Sequence, residues 1–486
     1  MKYDVVIIGS GLGGLLCGTI LSREGYKVCI VEKNVKIGGC LQSMRRGGHI
    51  FNTGIHYMGS LDEGQILHQY FKYFGLAGKV DVRRLDENGF DVIGFGDEPT
   101  TYPLAMGPGF VDSMAKHFPE ERHTLERYVS QLKDVCMSLP FYALDETLYG
   151  AVFEEPYLGT GAEKYLRSIT GNTRMQQVLL GNDPMYGIIS DKTSLLLYSL
   201  INHSFTESAW RMAGDSEQIS NALADEISAN GGAIICRRTV ERFIVEKRTA
   251  KAAVLHTGEE IEGAQFISNV HPQATLRMID NGDVKKSYRL RIENLQNSPG
   301  IFALHIVLKE RSFPFYNQIY YHYNKHNDWP QKIMMTPVGD DKDGYIRAVT
   351  LLANMDFTEI KAWEHTSLGH RDSSYQDFKI LKSNQIINTI EQRFPGFRQM
   401  IEHQYACSPL SYRDYTGTSE GSAYGVLKDC NRPLSTMVLP RTGITNLLLT
   451  GQNVYFHGML GVSIGTAVTC SELLGAKYLM NKIKCC

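Results

Sequence analysis

The turn Gly9-Ser10-Gly11-Leu12-Gly13-Gly14 constrains this chain more than any other stretch. Before it, Val5 to Ile8 are continuously apolar, as in a strand buried on both faces of a parallel sheet. After it, Leu12, Leu16 and Ile20 recur at helical spacing up to Gly25, and a second apolar run, Val28 to Val31, ends at Glu32. The order is strand, turn, helix, strand. Gly9 permits the tight turn, Gly11 admits a pyrophosphate close to the backbone, and Gly14 lets helix and sheet pack closely. The helix start offers unpaired N–H groups and a positive dipole end to phosphates. Glu32 is placed to accept hydrogen bonds from the adenosine ribose, and its charge disfavours a 2′-phosphate. A lone glycine motif also serves structural turns. Both strands, the helix and the acid in register point instead to a dinucleotide site.

With 486 residues and 43% hydrophobic composition, the chain can bury a large core and has the length of about three domain-sized units. Its 50 basic residues against 52 acids, a formal net charge of −2, offer no electrostatic case for a nucleic-acid partner. Ten cysteines are scattered without CxxC or zinc spacing, so no metal site is expected and a reduced compartment is. The first residues run straight into a strand interrupted by Asp4, a poor signal peptide, and no run of about 18 apolar residues occurs. A cytoplasmic protein is expected, with peripheral membrane contact left open.

A second glycine pair, Gly38-Gly39, follows Glu32-Lys33 and leads into Cys40-Leu41-Gln42-Ser43. Then comes Phe51-Asn52-Thr53-Gly54-Ile55-His56-Tyr57-Met58-Gly59. The glycine turn, Glu-Lys and the Gly-Gly pair together resemble flavoproteins of the FAD-binding amine-oxidase and phytoene-desaturase type. The stretch from Phe51 to Gly59 is similar to one in the retinol saturase and carotenoid isomerase branch. The resemblance implies that Gly38, Gly39 and their neighbours Lys33, Cys40 and Ser43 line the FAD pyrophosphate and ribityl chain. Cys40 stands where many relatives carry arginine, and Arg45 or Arg46 could supply that charge instead. His56 has a pKa suited to proton transfer, or could be a hydrogen-bonded turn residue. Tyr57 carries the same two readings.

Further on, short strands are expected between Asp81 and Tyr102, helices from Phe110 to Leu139, and a dense apolar run from Leu195 to Ile201. These suggest a helical cap over an apolar pocket, or ordinary core of a helical subdomain. Ser216 is expected to cap a helix carrying Ile219, Leu223 and Ile227, followed by strands at Ala233–Cys236 and from Val240. The resemblance makes this the return to the FAD domain, with Val240 at the adenine and Asn269 near the cofactor. Aromatic strands around Phe315–Tyr323 suit a cavity wall but need no ligand to form. Ser383 is expected to cap a helix through Ile386, Ile390 and Phe394, and Arg413 and Tyr415 could face substrate.

Leu447–Gly451 reads as a strand and turn, and Met459-Leu460-Gly461-Val462-Ser463-Ile464-Gly465 opens a long helix running towards Leu479. This resembles the family's closing FAD motif, with Gln452 where relatives often carry aspartate. His457 lies beside it as a candidate catalytic group.

The expected architecture is α/β. A discontinuous Rossmann-like FAD-binding domain takes residues 1–75, 214–270 and 440–486, with a mixed-sheet substrate domain at 76–109 and 271–439 and a helical cap at 110–213. The expected function is FAD-dependent reduction or introduction of a carbon–carbon double bond in a long isoprenoid, retinoid or carotenoid-like substrate. It would draw on an external electron donor or acceptor, with NAD(P)H among the candidates. The alternatives are a flavin-dependent carotenoid isomerase, an amine oxidase, and a non-catalytic flavin-binding protein.

Overall fold

A computed structural model describes residues 2–148, 156–182, 191–326, 328–339 and 343–486. Residues 149–155 and 183–190 of the expected cap lie outside the described residues.

The opening motif folds as its pattern dictates: β1 (Lys2–Ile8), α1 (Leu12–Arg23) and β2 (Val28–Val31). Val5, Val6 and Ile7 are wholly buried, as are Val28 to Ile30, because this sheet is covered on both faces. β1 lies between β2 and Glu260–Ser268, parallel to both. Ala233–Ile235 extends the sheet beyond β2, and Leu447–Leu449 pairs parallel to the end of Glu260–Ser268. The hairpin Val240–Glu246 and Thr249–Leu255 completes seven strands drawn from three distant parts of the chain.

A second seven-stranded sheet has the order Ile401–Cys407, Gly300–Leu308, Ala348–Met355, Lys332–Val338, Ile319–Tyr323, Asp91–Phe95 and Thr101–Leu104. It is antiparallel except where Ile319–Tyr323 meets Asp91–Phe95. Helix Ser373–Arg393 supplies Ile386, Ile387 and Ile390 to its own apolar cluster with this sheet. Helices Arg122–Met137 and Leu195–Glu207 pack together through buried Tyr128 and Tyr198, whose hydroxyls lie 2.8 Å apart.

Several local expectations are corrected. Ser216 does not cap with its side chain: its hydroxyl donates instead to the carbonyl of Leu41. The helix assigned to Ser383 begins ten residues earlier, capped by Asp372 accepting from the Tyr375 amide. The end of the helical segment is a strand, Ala209–Met212, held between Tyr57–Gly59 and Val82–Arg84. The closing helix starts at Gly458, beside the expected Met459, but does not run on to Leu479. It ends at Leu474, where Gly475 at φ +87° separates it from Ala476–Lys484.

Candidate functional site

The turn after β1 is shaped by what cannot fit there. Gly9 sits at φ +91°, and a Cβ on Gly14 would lie 2.1 Å from the Gly9 carbonyl oxygen. Asn269, at the end of the neighbouring strand, fills the space the glycines leave. A Cβ on Gly11 would come within 2.8 Å of its Nδ2, and one on Gly451 within 2.2 Å of its Oδ1. Gly11 occupies the cap position of α1 without a side-chain cap, and the first turn carries no acid. The N–H groups there are free to meet an anion. Glu32 is buried at the tip of β2 and holds the turn from the other side. One carboxylate oxygen accepts from the Ser10 amide at 2.9 Å and hydroxyl at 2.6 Å, and the other accepts from the Asn34 amide.

A cavity of about 460 Å³ opens from this turn. Gly9, Gly11, Leu12 and Gly13 form its start, with Glu32, Lys33, Gly38, Gly39 and Cys40 beside them. Val240 and Asn269 join from the returning strands, and Gln452, Gly461 and Val462 from the C-terminal segment. His56, Tyr57 and His457 also line it. Residues separated by more than four hundred positions thus share one chamber.

Four expected cofactor residues do not reach the wall. Gly14 is consumed by helix–turn packing, and Gly451, at φ +88°, by its approach to Asn269. Ser43 gives its amide and hydroxyl to Glu217, and Ser463 bonds back to the Met459 carbonyl inside the closing helix. Arg45 does not supply a charge here: it is exposed and paired with Asp215 at 2.7 Å. Arg413 is held by Asp414 and the carbonyls of Glu364 and Thr366, while Tyr415 is exposed. Neither lines the cavity.

Sequence reasoning missed Arg238 and Thr239, which precede Val240 on the wall, and Tyr412 and Tyr424. The first pair follows from strand register, since the Arg238 amide bonds the Glu32 carbonyl. The tyrosines carried no signal of their own, Tyr412 standing only beside the expected substrate-facing Arg413.

The three candidate catalytic residues sit differently. His56 is half-buried on the wall, and burial lowers its pKa to about 4, so its ring is neutral near pH 7. Buried His305 stands near it, held at Nδ1 by Thr350 at 3.0 Å. Tyr57 turns its hydroxyl behind the wall, 3.1 Å from Asp91 and 2.7 Å from the Tyr321 hydroxyl. Asp91 is fully buried, and burial raises its pKa to about 8 against the lowering effect of bonds from Asn182 and Tyr57. His457 packs its ring 4.5 Å from Tyr424, and its Nε2 is buried with no hydrogen-bond partner among the described residues. Burial, then the Lys428 amine, hold His457 neutral. Among the described residues Lys428 meets only the carbonyls of Val426 and Gln452, and burial lowers its pKa to about 7.

Beyond the turn the wall becomes apolar. Leu67, Leu200, Ile201 and Phe205 come from the helices around it, and Ile301, Met334 and Leu352 from the second sheet. Hydrophobic walls with a few placed polar groups are the ordinary construction of a small-molecule site. No described helix is long and apolar enough to cross a membrane.

The family described as "NAD(P)-binding Rossmann-like domain" matches residues 7–74, which hold the turn, α1, β2 and the start of the cavity. Human all-trans-retinol 13,14-reductase is 23% identical over an alignment covering 99% of this chain and 87% of that protein. Prolycopene isomerase 1, chloroplastic, from an Oncidium hybrid cultivar is 21% identical, covering 99% and 85%. A solved structure of a putrescine oxidase redesigned in its cofactor binding superposes with a TM-score of 0.66. It is 14% identical and the match covers all of both chains, a likeness of fold. From the nucleotide-binding turn to the closing helix, the chain is similar over nearly its whole length to all-trans-retinol 13,14-reductase and to prolycopene isomerase.

Proposed function

We propose that this protein is an FAD-dependent oxidoreductase that adds or removes a pair of hydrogens at a carbon–carbon double bond of a long, apolar, isoprenoid-like molecule. One observation carries the reading: a single chamber runs from a glycine cradle that excludes side chains to a wall of aliphatic and aromatic ones. The relatives named as a retinol reductase and a carotenoid isomerase support that class of substrate.

The cradle fits a dinucleotide on the chemistry of its donors. Gly9, Gly11 and Gly13 and the uncapped start of α1 would hold the pyrophosphate, with Glu32 at the ribose. The uncapped start of the closing helix, with no acid in its first turn, and the orphaned Nε2 of His457 would meet the polar edge of the flavin. FAD supplies the hydride chemistry when bound. The chain's own residues do the rest: Leu200, Phe205, Leu352 and Met334 exclude water and hold an extended chain in one alignment. His56, kept neutral by burial, carries a ring nitrogen able to take up a proton from a carbon centre in the desaturating sense. In the saturating sense the same site returns it.

Redox-neutral isomerisation is the second reading, favoured by the similarity to prolycopene isomerase. Anaerobic incubation of the FAD-loaded protein with retinoid, carotenoid and simpler isoprenoid candidates separates them, with flavin absorbance and product mass followed together. A product heavier by one pair of hydrogens, with flavin oxidised, marks saturation. A lighter product with flavin reduced marks desaturation. Unchanged mass with altered geometry, dependent on reduced flavin, marks isomerisation. A protein that retains no FAD overturns the reading.

A further inference from the structure

Four buried side-chain atoms on the cavity wall have no hydrogen-bond partner among the described residues: His457 Nε2, Thr418 Oγ1, Ser422 Oγ and Asn354 Oδ1. Three of them belong to segments on the cofactor side. His457 precedes the closing helix, beside Gly461 and Val462. Thr418 and Ser422 follow Gly417, where a Cβ would meet the Lys33 amine at 2.5 Å.

Asn354 is placed differently. It lies on the strand Ala348–Met355 of the second sheet, directly opposite Ile301. Leu352, two residues before it and therefore on the same face, stands opposite Met334. Ile301, Met334 and Leu352 all line the cavity, so the amide of Asn354 interrupts an aliphatic wall. The strand is pinned at this residue, because the Trp329 indole donates to the Asn354 backbone carbonyl at 2.7 Å. A carboxamide held at that position, with its oxygen desolvated and unpaired, forfeits hydrogen bonds that the apo protein does not replace.

We propose that Asn354 is a specificity-determining residue that hydrogen-bonds an oxygen-bearing group of the substrate. The substrate is then a hydroxylated isoprenoid, an alcohol, and not a bare hydrocarbon. This rests on the reading of the chamber as an isoprenoid site. The unpaired oxygen is an acceptor, which a substrate hydroxyl satisfies by donating to it and a carbonyl does not. Its neighbours on the sheet, Ile301, Met334 and Leu352, offer no cation for a carboxylate. A hydrocarbon in the same place leaves the amide unpaired, and sites that hydrogen-bond a substrate oxygen discriminate strongly against analogues that lack it.

The test uses FAD-loaded wild type and Asn354→Leu, a substitution close in volume that removes both hydrogen-bonding functions. Geranylgeraniol and its deoxy hydrocarbon are titrated against each, binding is read from perturbation of the flavin spectrum, and FAD content is measured alongside. The expected result is a preference of at least about tenfold for the alcohol in the wild type. In Asn354→Leu that preference disappears through weaker alcohol binding, while hydrocarbon affinity and FAD content are kept. Asn354→Ser, which keeps a hydroxyl, should restore part of it. Equal affinities in the wild type, or a preference that survives Asn354→Leu, overturn the inference while leaving the flavoenzyme reading intact. Loss of FAD in Asn354→Leu with the alcohol preference unchanged assigns the amide to the cofactor and also overturns it. A wild type that binds neither probe, or holds no FAD, sinks the reading of the chamber itself.

Discussion

The first sheet meets the cavity with backbone and the second meets it with side chains. On the first, Gly9, Gly11 and Gly13 present bare peptide, and Asn269 is wedged where their side chains would be. On the second, Ile301, Met334, Leu352 and Asn354 project from three adjacent strands. A ligand held by peptide groups and a helix terminus is recognised by features shared across a whole cofactor class. A ligand held by projecting side chains is recognised by their size and polarity, and each substitution changes what fits. The cofactor half is therefore intolerant and generic, and the substrate half tolerant and specific.

Gly14→Ala should have the largest effect, because its methyl group must displace the Gly9 carbonyl from a contact of 2.1 Å. Loss of bound FAD, read from the flavin absorbance of the purified protein, is expected, and circular dichroism reports how much of the fold goes with it. A variant that still binds FAD normally would break the claim that this side is fixed by backbone. His56→Phe should act oppositely, keeping FAD and the wall's volume while turnover falls by about 10²–10⁴. Single-turnover flavin kinetics check this, and an undiminished rate would reduce His56 to a piece of wall.

The smallest effect is expected behind the wall. Asp91, with its pKa raised to about 8, binds a proton more tightly in the folded than in the unfolded chain. Its contribution to stability is full below its ordinary pKa of 3.8 and is lost as pH rises towards 8. Asp91→Asn should therefore melt a few degrees above the wild type at pH 9 and show a flatter dependence across that window. Melting temperatures measured from pH 5 to 9 check the sign, and a higher melting temperature of wild type at the alkaline end would refute it.

The same contrast explains what the sequence made readable. The first sheet's strands are buried on both faces, so Val5 to Ile8 and Val28 to Val31 stand out as unbroken apolar runs. The helix Ser373–Arg393 did not, because Ile380 and Leu381 point to solvent and blur the apolar stripe through its first half. Gly38, Gly39, Gln452 and Val462 could be placed through resemblance to known motifs. Arg238 could not, since its place depends on pairing with Glu32 across a gap of two hundred residues. Asn269 was expected near the cofactor, and it lines the cavity, but its role as a wedge among glycines exists only once the turn and strand are brought together. Asn354 had no mark at all: one amide in an apolar strand reads as noise until the cavity lies in front of it.

The closing strand of the first sheet, Leu447–Leu449, has a consequence for the order of events in the cell. Translation at about 5–20 residues per second means that roughly 20 to 90 seconds pass before this strand has been made. From the synthesis of Ser268 until then, the Glu260–Ser268 strand has an open edge along its last three residues. The glycine turn likewise waits for Gly451, whose Cα would lie within 2.6 Å of a Cβ on Gly13. The nascent chain thus exposes an incomplete nucleotide cradle for nearly its whole synthesis, and capture of the cofactor becomes an event that follows release of the C-terminal segment.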